Sequence, residues 1–224
     1  MDVFNAPPPE EERGLLKRLG HTVRKSVFYG MSLTRLSFLS LELLEKEIAM
    51  LVPDINIGET IIPFACVATD LKNSEVCCFR EGPMRNAIVA SCAIPGLFPP
   101  VKHDGKEFID GSWAVQSPVE YARGMGADFV IAVNIDPEND EEMELRNGLD
   151  VVLVGNKVTR RVLAKMQLGM ADVVVTPDIH DFHWADFSHS AESVEIGKSC
   201  AQAAIKDIKK KLNRARIKNF FHLG

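Results

Sequence analysis

Several things are scarce in this 224-residue chain, and each scarcity excludes a class of protein. No long uninterrupted apolar run occurs. The most apolar helical stretch, residues 33–51, is broken by Arg35, Glu42, Glu45, Lys46 and Glu47, so no membrane-spanning helix is expected. The first twenty residues hold the acidic, proline-rich PPPEEER and no apolar segment, which argues against a secretory signal. The five cysteines, Cys66, Cys77, Cys78, Cys92 and Cys200, are odd in number, include an adjacent pair and form no C-x-x-C. They predict reduced thiols in a cytoplasmic protein rather than a disulfide framework. Neither G-x-G-x-x-G nor G-x-x-x-x-G-K-[ST] is present, which argues against a nucleotide-binding sheet, and no glycine-rich run precedes residue 60. Positive charge is also in short supply: 26 Lys and Arg against 31 Asp and Glu leave a net charge of −5, so nucleic acid is not an expected partner. The basic residues that do cluster, Lys206 to Lys218, read as the solvated face of a terminal helix, or as a peripheral contact to an anionic membrane surface.

What is present is the composition of one globular unit with a sizeable core, 46% hydrophobic and 25% charged. The pattern predicts a helix over 33–52, a buried strand over 61–68, a short strand over 75–79 paired with it as a hairpin, and a helix over 85–92 stopped by Pro95. A brief strand over 108–110 follows. Ser117 is expected to cap a helix running to about Met125, with Pro118 at its first position. A strand over 129–134, a helix over 145–170, a strand over 172–176 and a terminal helix over 188–217 complete the order. Such alternation predicts an α/β fold with a mostly parallel sheet flanked by helices on both faces.

The chemistry is expected between Ala90 and Pro118, where ASCAIPGLFPPV leads into KHDGKEFIDGSWAVQSP. Asp110 ends a short apolar strand and is followed by Gly111, an arrangement that holds a carboxylate at a cleft mouth while the backbone turns away. On residues alone Asp110 is either such a site or the cap of the turn before Trp113. The stretch resembles the patatin-like phospholipase family through Ala90, Ser91, Ala93, Pro95, Phe98, Pro100, Asp110, Gly111, Pro118 and Val119. IIPFACVATDL (Ile61 to Leu71), MGADFVIAVNID (Met125 to Asp136) and the segment from Ala171 to Ala204 extend the likeness in the family's order. The resemblance implies a three-layer α/β fold and a lipid ester hydrolase, an esterase or lysophospholipase working with a Ser/Asp dyad. Asp110 is then the general base of the motif formed by Asp110, Gly111 and Ser112. The family prefers Gly or Ala at the third position, and the Ser112 hydroxyl is expected to crowd or redirect the carboxylate.

Two of the family's motifs are not found: a glycine-rich oxyanion turn and the G-x-S-x-G elbow that exposes the nucleophile. The nearest elbow, Gly30-Met31-Ser32-Leu33-Thr34, has Thr for the second Gly, and Ser32 reads more simply as the cap of the helix beginning near Leu33. The nucleophile is thus unassigned. Residues 1–30, with PPPEEE as their least structured part, read as a flexible or locally helical leading segment. The resemblance implies a partial patatin-like domain over 31–224 that lacks N-terminal strands and is inactive alone. A complementing N-terminal half, or self-association through unpaired strand edges, is the expected partner beside the lipid or small ester substrate. The alternative is a degenerate lipid-binding or regulatory module. Asp178, His180, Asp181, His183, Asp186 and His189 match no metal-ligand spacing and read as a polar loop on the active-site side, so neither metal nor cofactor is expected. Phe182, Trp184 and Phe187 either line an acyl pocket or pack beneath that loop. Arg80, Arg85 and Asn86 read as surface residues, and Ser91 as a packing residue.

Overall fold

A computed structural model of the chain describes residues 36–135, 145–179, 182 and 187–222. The fold is mixed α/β, and it divides into two compact units that meet in sequence at Gln116 and Ser117.

The first unit carries a four-stranded sheet in the order β2-β1-β4-β3, formed by β1 (Cys66–Asp70), β2 (Glu75–Phe79), β3 (Val101–His103) and β4 (Lys106–Asp110). Every neighbouring pair is antiparallel, which corrects the expectation of a mostly parallel sheet. For the two hairpins, β1–β2 and β3–β4, the reason is local. β1 and β2 are joined by a turn over 71–74, and β3 and β4 by Asp104 and Gly105, connections far too short for the crossover that parallel neighbours need. Alternating elements in a sequence do not reveal strand direction. β1 also starts later than the apolar run suggests. Ile61 and Ile62 are exposed, and Pro63 has no N–H to give to a ladder, so pairing begins beyond it at Cys66. β2 lies where the pattern puts it, and β3 is too short to show alternation.

Helix α1 (Leu41–Leu51) is likewise shorter than its apolar stretch. Ser40 caps it, its Oγ accepting from the Leu43 N–H at 3.4 Å. The residues just before are tied elsewhere, the Phe38 and Leu39 N–H groups donating to Gly96 and Leu97. Ser32 lies outside the described residues. Helix α2 (Met84–Ser91) packs on the sheet through Ala90, which meets Ala68 and Phe108, while Val89 and Ala93 enclose Leu44 of α1. Phe79 and Phe108 meet edge to face at 5.4 Å within the same layer. Arg85 is half-buried rather than a surface residue: its guanidinium donates to the Val52 and Ala49 carbonyls at 2.8 and 3.3 Å, satisfying the C-terminal end of α1.

The second unit contains α3 (Val119–Gly124), β5 (Ile131–Val133), α4 (Gly148–Leu168), β6 (Val173–Val175) and α5 (Ser190–His222). β5 and β6 are parallel, Ile131 opposite Val173, as expected of strands joined through a helix. Val119, Val130 and Ala132 form the core with Leu168 and Ala171. Asp172 pins the strands to α3, since its carboxylate accepts from the Val130 N–H at 2.7 Å and the Arg123 guanidinium at 2.6 Å. Burial opposes its charge, yet those bonds hold the carboxyl below the ordinary range. Pro118, not Ser117, occupies the cap position of α3, and the Ser117 N–H instead donates to Gln167 Oε1 at 2.9 Å. Asn147 caps α4 by accepting from the Leu149 and Asp150 N–H groups, which sets its start at Gly148. Among the described residues no helix is long and apolar enough to cross a membrane.

Candidate functional site

Asp110 is the last residue of β4, opposite Ala68 of β1. Three backbone features fix it there. Its N–H donates to the Ala93 carbonyl at 2.9 Å, its own carbonyl accepts from the Thr69 hydroxyl at 3.3 Å, and the chain then closes into a short 3-10 turn over Gly111–Trp113. The small residues of the ASCA segment explain the first bond. Ala90 and Ala93 are buried, at 3% and 0% exposure, so the end of α2 lies close enough for the carbonyl after Cys92 to reach β4.

The carboxylate itself is half-buried. Oδ1 accepts from the Ser112 N–H at 2.7 Å, so Asp110 does cap the turn, but this uses one oxygen. Among the described residues no serine or threonine hydroxyl hydrogen-bonds the carboxylate. The contribution of Ser112 is its backbone: its N–H holds Asp110, and its carbonyl accepts from the Gln116 side-chain amide. Gly111 is required for space. A Cβ at this position would stand 2.2 Å from the Val67 carbonyl oxygen and 2.8 Å from its carbon, so β1 passes too near for any side chain.

Two half-buried cysteines, Cys92 and Cys66, pack against the core of this unit. Burial first, and the negative charge of Asp110 second, push the Cys92 thiol up. Cys66 is pushed up to about 12 by burial, with Cys92 and Cys78 adding to it. Both stay neutral thiols at physiological pH, so Cys92 beside the carboxylate is no activated nucleophile. Asp70, at the other end of the same β1–β4 pairing, is fully buried. Its oxygens accept from the Asn73 amide at 2.6 Å and from the Lys72 and Glu107 N–H groups at 3.0 and 3.5 Å. Burial works against its charge, but these donors together hold the carboxyl below its ordinary value. It locks the β1–β2 turn to β4.

The other sequence candidates are dispersed. Ser91 is half-buried in α2, while Arg80 and Asn86 are exposed. Of the polar loop, His180, Asp181, His183 and Asp186 lie outside the described residues, as does Trp184. His189 stacks on Phe182 with ring centroids 5.2 Å apart and approaches Glu192 at 3.3 Å. Among the described residues no three His, Cys, Asp or Glu side chains are grouped to hold a metal. Sequence reasoning did not anticipate the Ala93 carbonyl and the Val67 backbone, because backbone partners carry no residue signature. Thr69 was within reach, since pairing IIPFACVATDL beside KEFID places it near Asp110.

The family model described as patatin-like phospholipase matches residues 12–123, half of the 224-residue chain, and the span includes Asp110, Gly111 and Ser112. The chain belongs to the patatin-like phospholipase family. A putative patatin-like phospholipase domain-containing protein of Caenorhabditis elegans is 33% identical over 96 residues, 42% of this chain and 9% of that protein. An uncharacterized NTE family protein of Mycobacterium tuberculosis is 37% identical over 86 residues, 38% of this chain and 24% of the relative. Patatin-like phospholipase domain-containing protein 7 of Rattus norvegicus is 26% identical over 100 residues, 44% of this chain and 7% of the relative. The patatin-like chain thus spans a quarter or less of the length of these relatives. The downstream likeness from Met125 onward falls beyond the span matched by the family model.

Proposed function

We propose that the chain contributes the general base, Asp110, to a patatin-like serine acyl hydrolase that cleaves lipid esters by a Ser/Asp dyad. The observation that carries this reading is the placement of Asp110 at the end of β4, where two backbone bonds fix the strand end and the Ser112 N–H engages one carboxylate oxygen. In the proposed reaction a serine hydroxyl attacks the ester carbonyl and its proton passes to Asp110, which then returns it to the departing alcohol. Water, deprotonated by the same carboxylate, releases the fatty acid and restores the serine. The nucleophile belongs to residues other than those described. Cys92 is unsuited to the part, and Thr69 spends its hydroxyl on the Asp110 carbonyl.

On this reading the chain alone is catalytically silent and needs a complementing segment with a glycine-rich loop and an elbow serine. Hydrolysis of p-nitrophenyl butyrate by the purified chain, beside Asp110→Asn and Ser32→Ala, tests it. No turnover above buffer by any of the three is the expected result. Turnover abolished by both substitutions would instead make Ser32 the nucleophile and the chain self-sufficient, and turnover indifferent to Asp110→Asn would remove Asp110 from the chemistry.

A further inference from the structure

Cys77 of β2 differs from the other cysteines in what touches its sulfur. Lys106 Nζ, from the first residue of β4, donates to Cys77 Sγ at 3.4 Å. The two strands are not neighbours: β1 lies between them, and the Lys106 side chain crosses it. Cys77 and Lys106 are both half-buried, so a small solute reaches the pair. Cys77 first, with Asp70 and Glu75 adding and burial opposing, holds the Lys106 ammonium above its ordinary range. The remaining thiols sit otherwise. Burial pushes Cys66 and Cys92 up, Cys78 is the next residue of the strand and projects from its opposite face, and Cys200 donates to the Thr176 carbonyl. A partly exposed thiol with a cation at hand is the kind that peroxide oxidises selectively.

We propose that Cys77 and Lys106 form a peroxide-responsive site in which the oxidised thiol is captured by the lysine amine, tying β2 to β4. In the first step the Cys77 sulfur attacks one oxygen of hydrogen peroxide. An S–O bond forms, the O–O bond breaks, and water leaves as sulfur gives two electrons to the peroxide. The product is a sulfenic acid beside Lys106 Nζ. In the second step Lys106 releases one proton to solvent and its nitrogen attacks the sulfur. The S–O bond breaks, and the departing hydroxide leaves as water with a further proton from the nitrogen. The S–N bond so made is a sulfenamide, the product of sulfenic acid condensing with nitrogen, and a dithiol reductant restores both side chains. The site stands apart from Asp110, which ends the strand that Lys106 begins. It adds redox chemistry to a fold otherwise read for ester hydrolysis.

The test exposes the full chain to hydrogen peroxide, blocks the remaining thiols with an alkylating agent, digests with trypsin and weighs the peptides by mass spectrometry. The expected product joins peptide 73–80, which holds Cys77, to peptide 103–123, left uncut after Lys106. Its mass should be that of the two peptides less two hydrogens, and dithiothreitol should separate them. Lys106→Arg keeps a cation at the sulfur, but a guanidinium does not shed a proton for the attack. In that variant the joined peptide should be lost while dimedone traps a sulfenic acid at Cys77. Cys77→Ser should abolish both the joined peptide and the trapped acid. A joined peptide heavier by one oxygen would assign an N–O–S bridge and overturn the sulfenamide. A loss of two hydrogens confined to peptide 73–80 and indifferent to Lys106→Arg would assign a disulfide between Cys77 and Cys78, and would overturn it too. So would recovery of Cys77 unmodified, or oxidation of Cys66 or Cys92 ahead of it.

Discussion

Gly111 is the residue at which the site is most constrained. The Asp-Gly pair reads in sequence as a turn that exploits glycine's freedom, whereas in the structure the demand is for room: a Cβ would lie 2.2 Å from the Val67 carbonyl oxygen. Backbone offers no soft way out, so Gly111→Ala should cost about 2–3 kcal/mol, read as a lower urea midpoint with unchanged slope. An unchanged midpoint would mean that β1 does not pass this closely. Asp70 offers a test with a pH signature. Its carboxyl is held below the ordinary value of 3.8, so its charge stabilises the fold above that pH, and the contribution fades as pH falls through the lower folded value. Asp70→Asn should therefore melt below the parent at pH 7, with the two curves converging in acid. A constant difference across that range would show that the carboxylate charge is not what matters. The place of Asp110 at a strand end before a turn was legible at this scale from its position before Gly111. Asp70 was not, because an Asp closing an apolar strand looks the same whether its side chain faces water or is fully buried.

Elements were legible where side-chain period and punctuation agree. β2 and the hairpin it forms with β1 follow directly from alternation and a polar turn, and α4 from its long periodic stretch. Boundaries were lost where a backbone partner decides the matter: Pro63 delays β1, and the bonds of Phe38 and Leu39 to the Gly96 turn keep residues before Ser40 out of α1. Strand direction was misread because two of the three pairs are hairpins set by short connections and the third, β1 with β4, is antiparallel despite the helix between them, so the order of element types does not fix it. In the second unit, the contact that ties α3 to the parallel pair is the Arg123–Asp172 bridge at 2.6 Å, with the Val130 N–H as a second donor. Both side chains are about a third exposed, so solvent screens the pair. Asp172→Ala should then cost on the order of 1 kcal/mol, mostly through the orphaned Val130 N–H. Arg123→Ala should cost less, and the double variant about as much as Asp172→Ala alone, measurable as a double-mutant cycle in urea. Additive losses would show that the two side chains act separately.

At the scale of the whole molecule, family membership rests on a span that ends at residue 123, and Asp110, the proposed base, is anchored entirely within the first compact unit. The two ordered segments between Ile61 and Val119 made the family legible without a nucleophile motif, because they occupy places the fold dictates: a central strand, a helix ending in small residues, the strand that carries Asp110. What stayed illegible is the other half of the chemistry. A dyad is a distance between two side chains, and one sequence motif cannot supply it. The most direct measurement joins a segment bearing a glycine-rich loop and a G-x-S-x-G elbow ahead of this chain and follows p-nitrophenyl butyrate hydrolysis with and without Asp110→Asn. The account requires the fusion to be active and the substitution to lower kcat at least about a hundredfold, the usual contribution of a general base. A folded, active fusion that keeps its kcat with Asn at position 110 would contradict it.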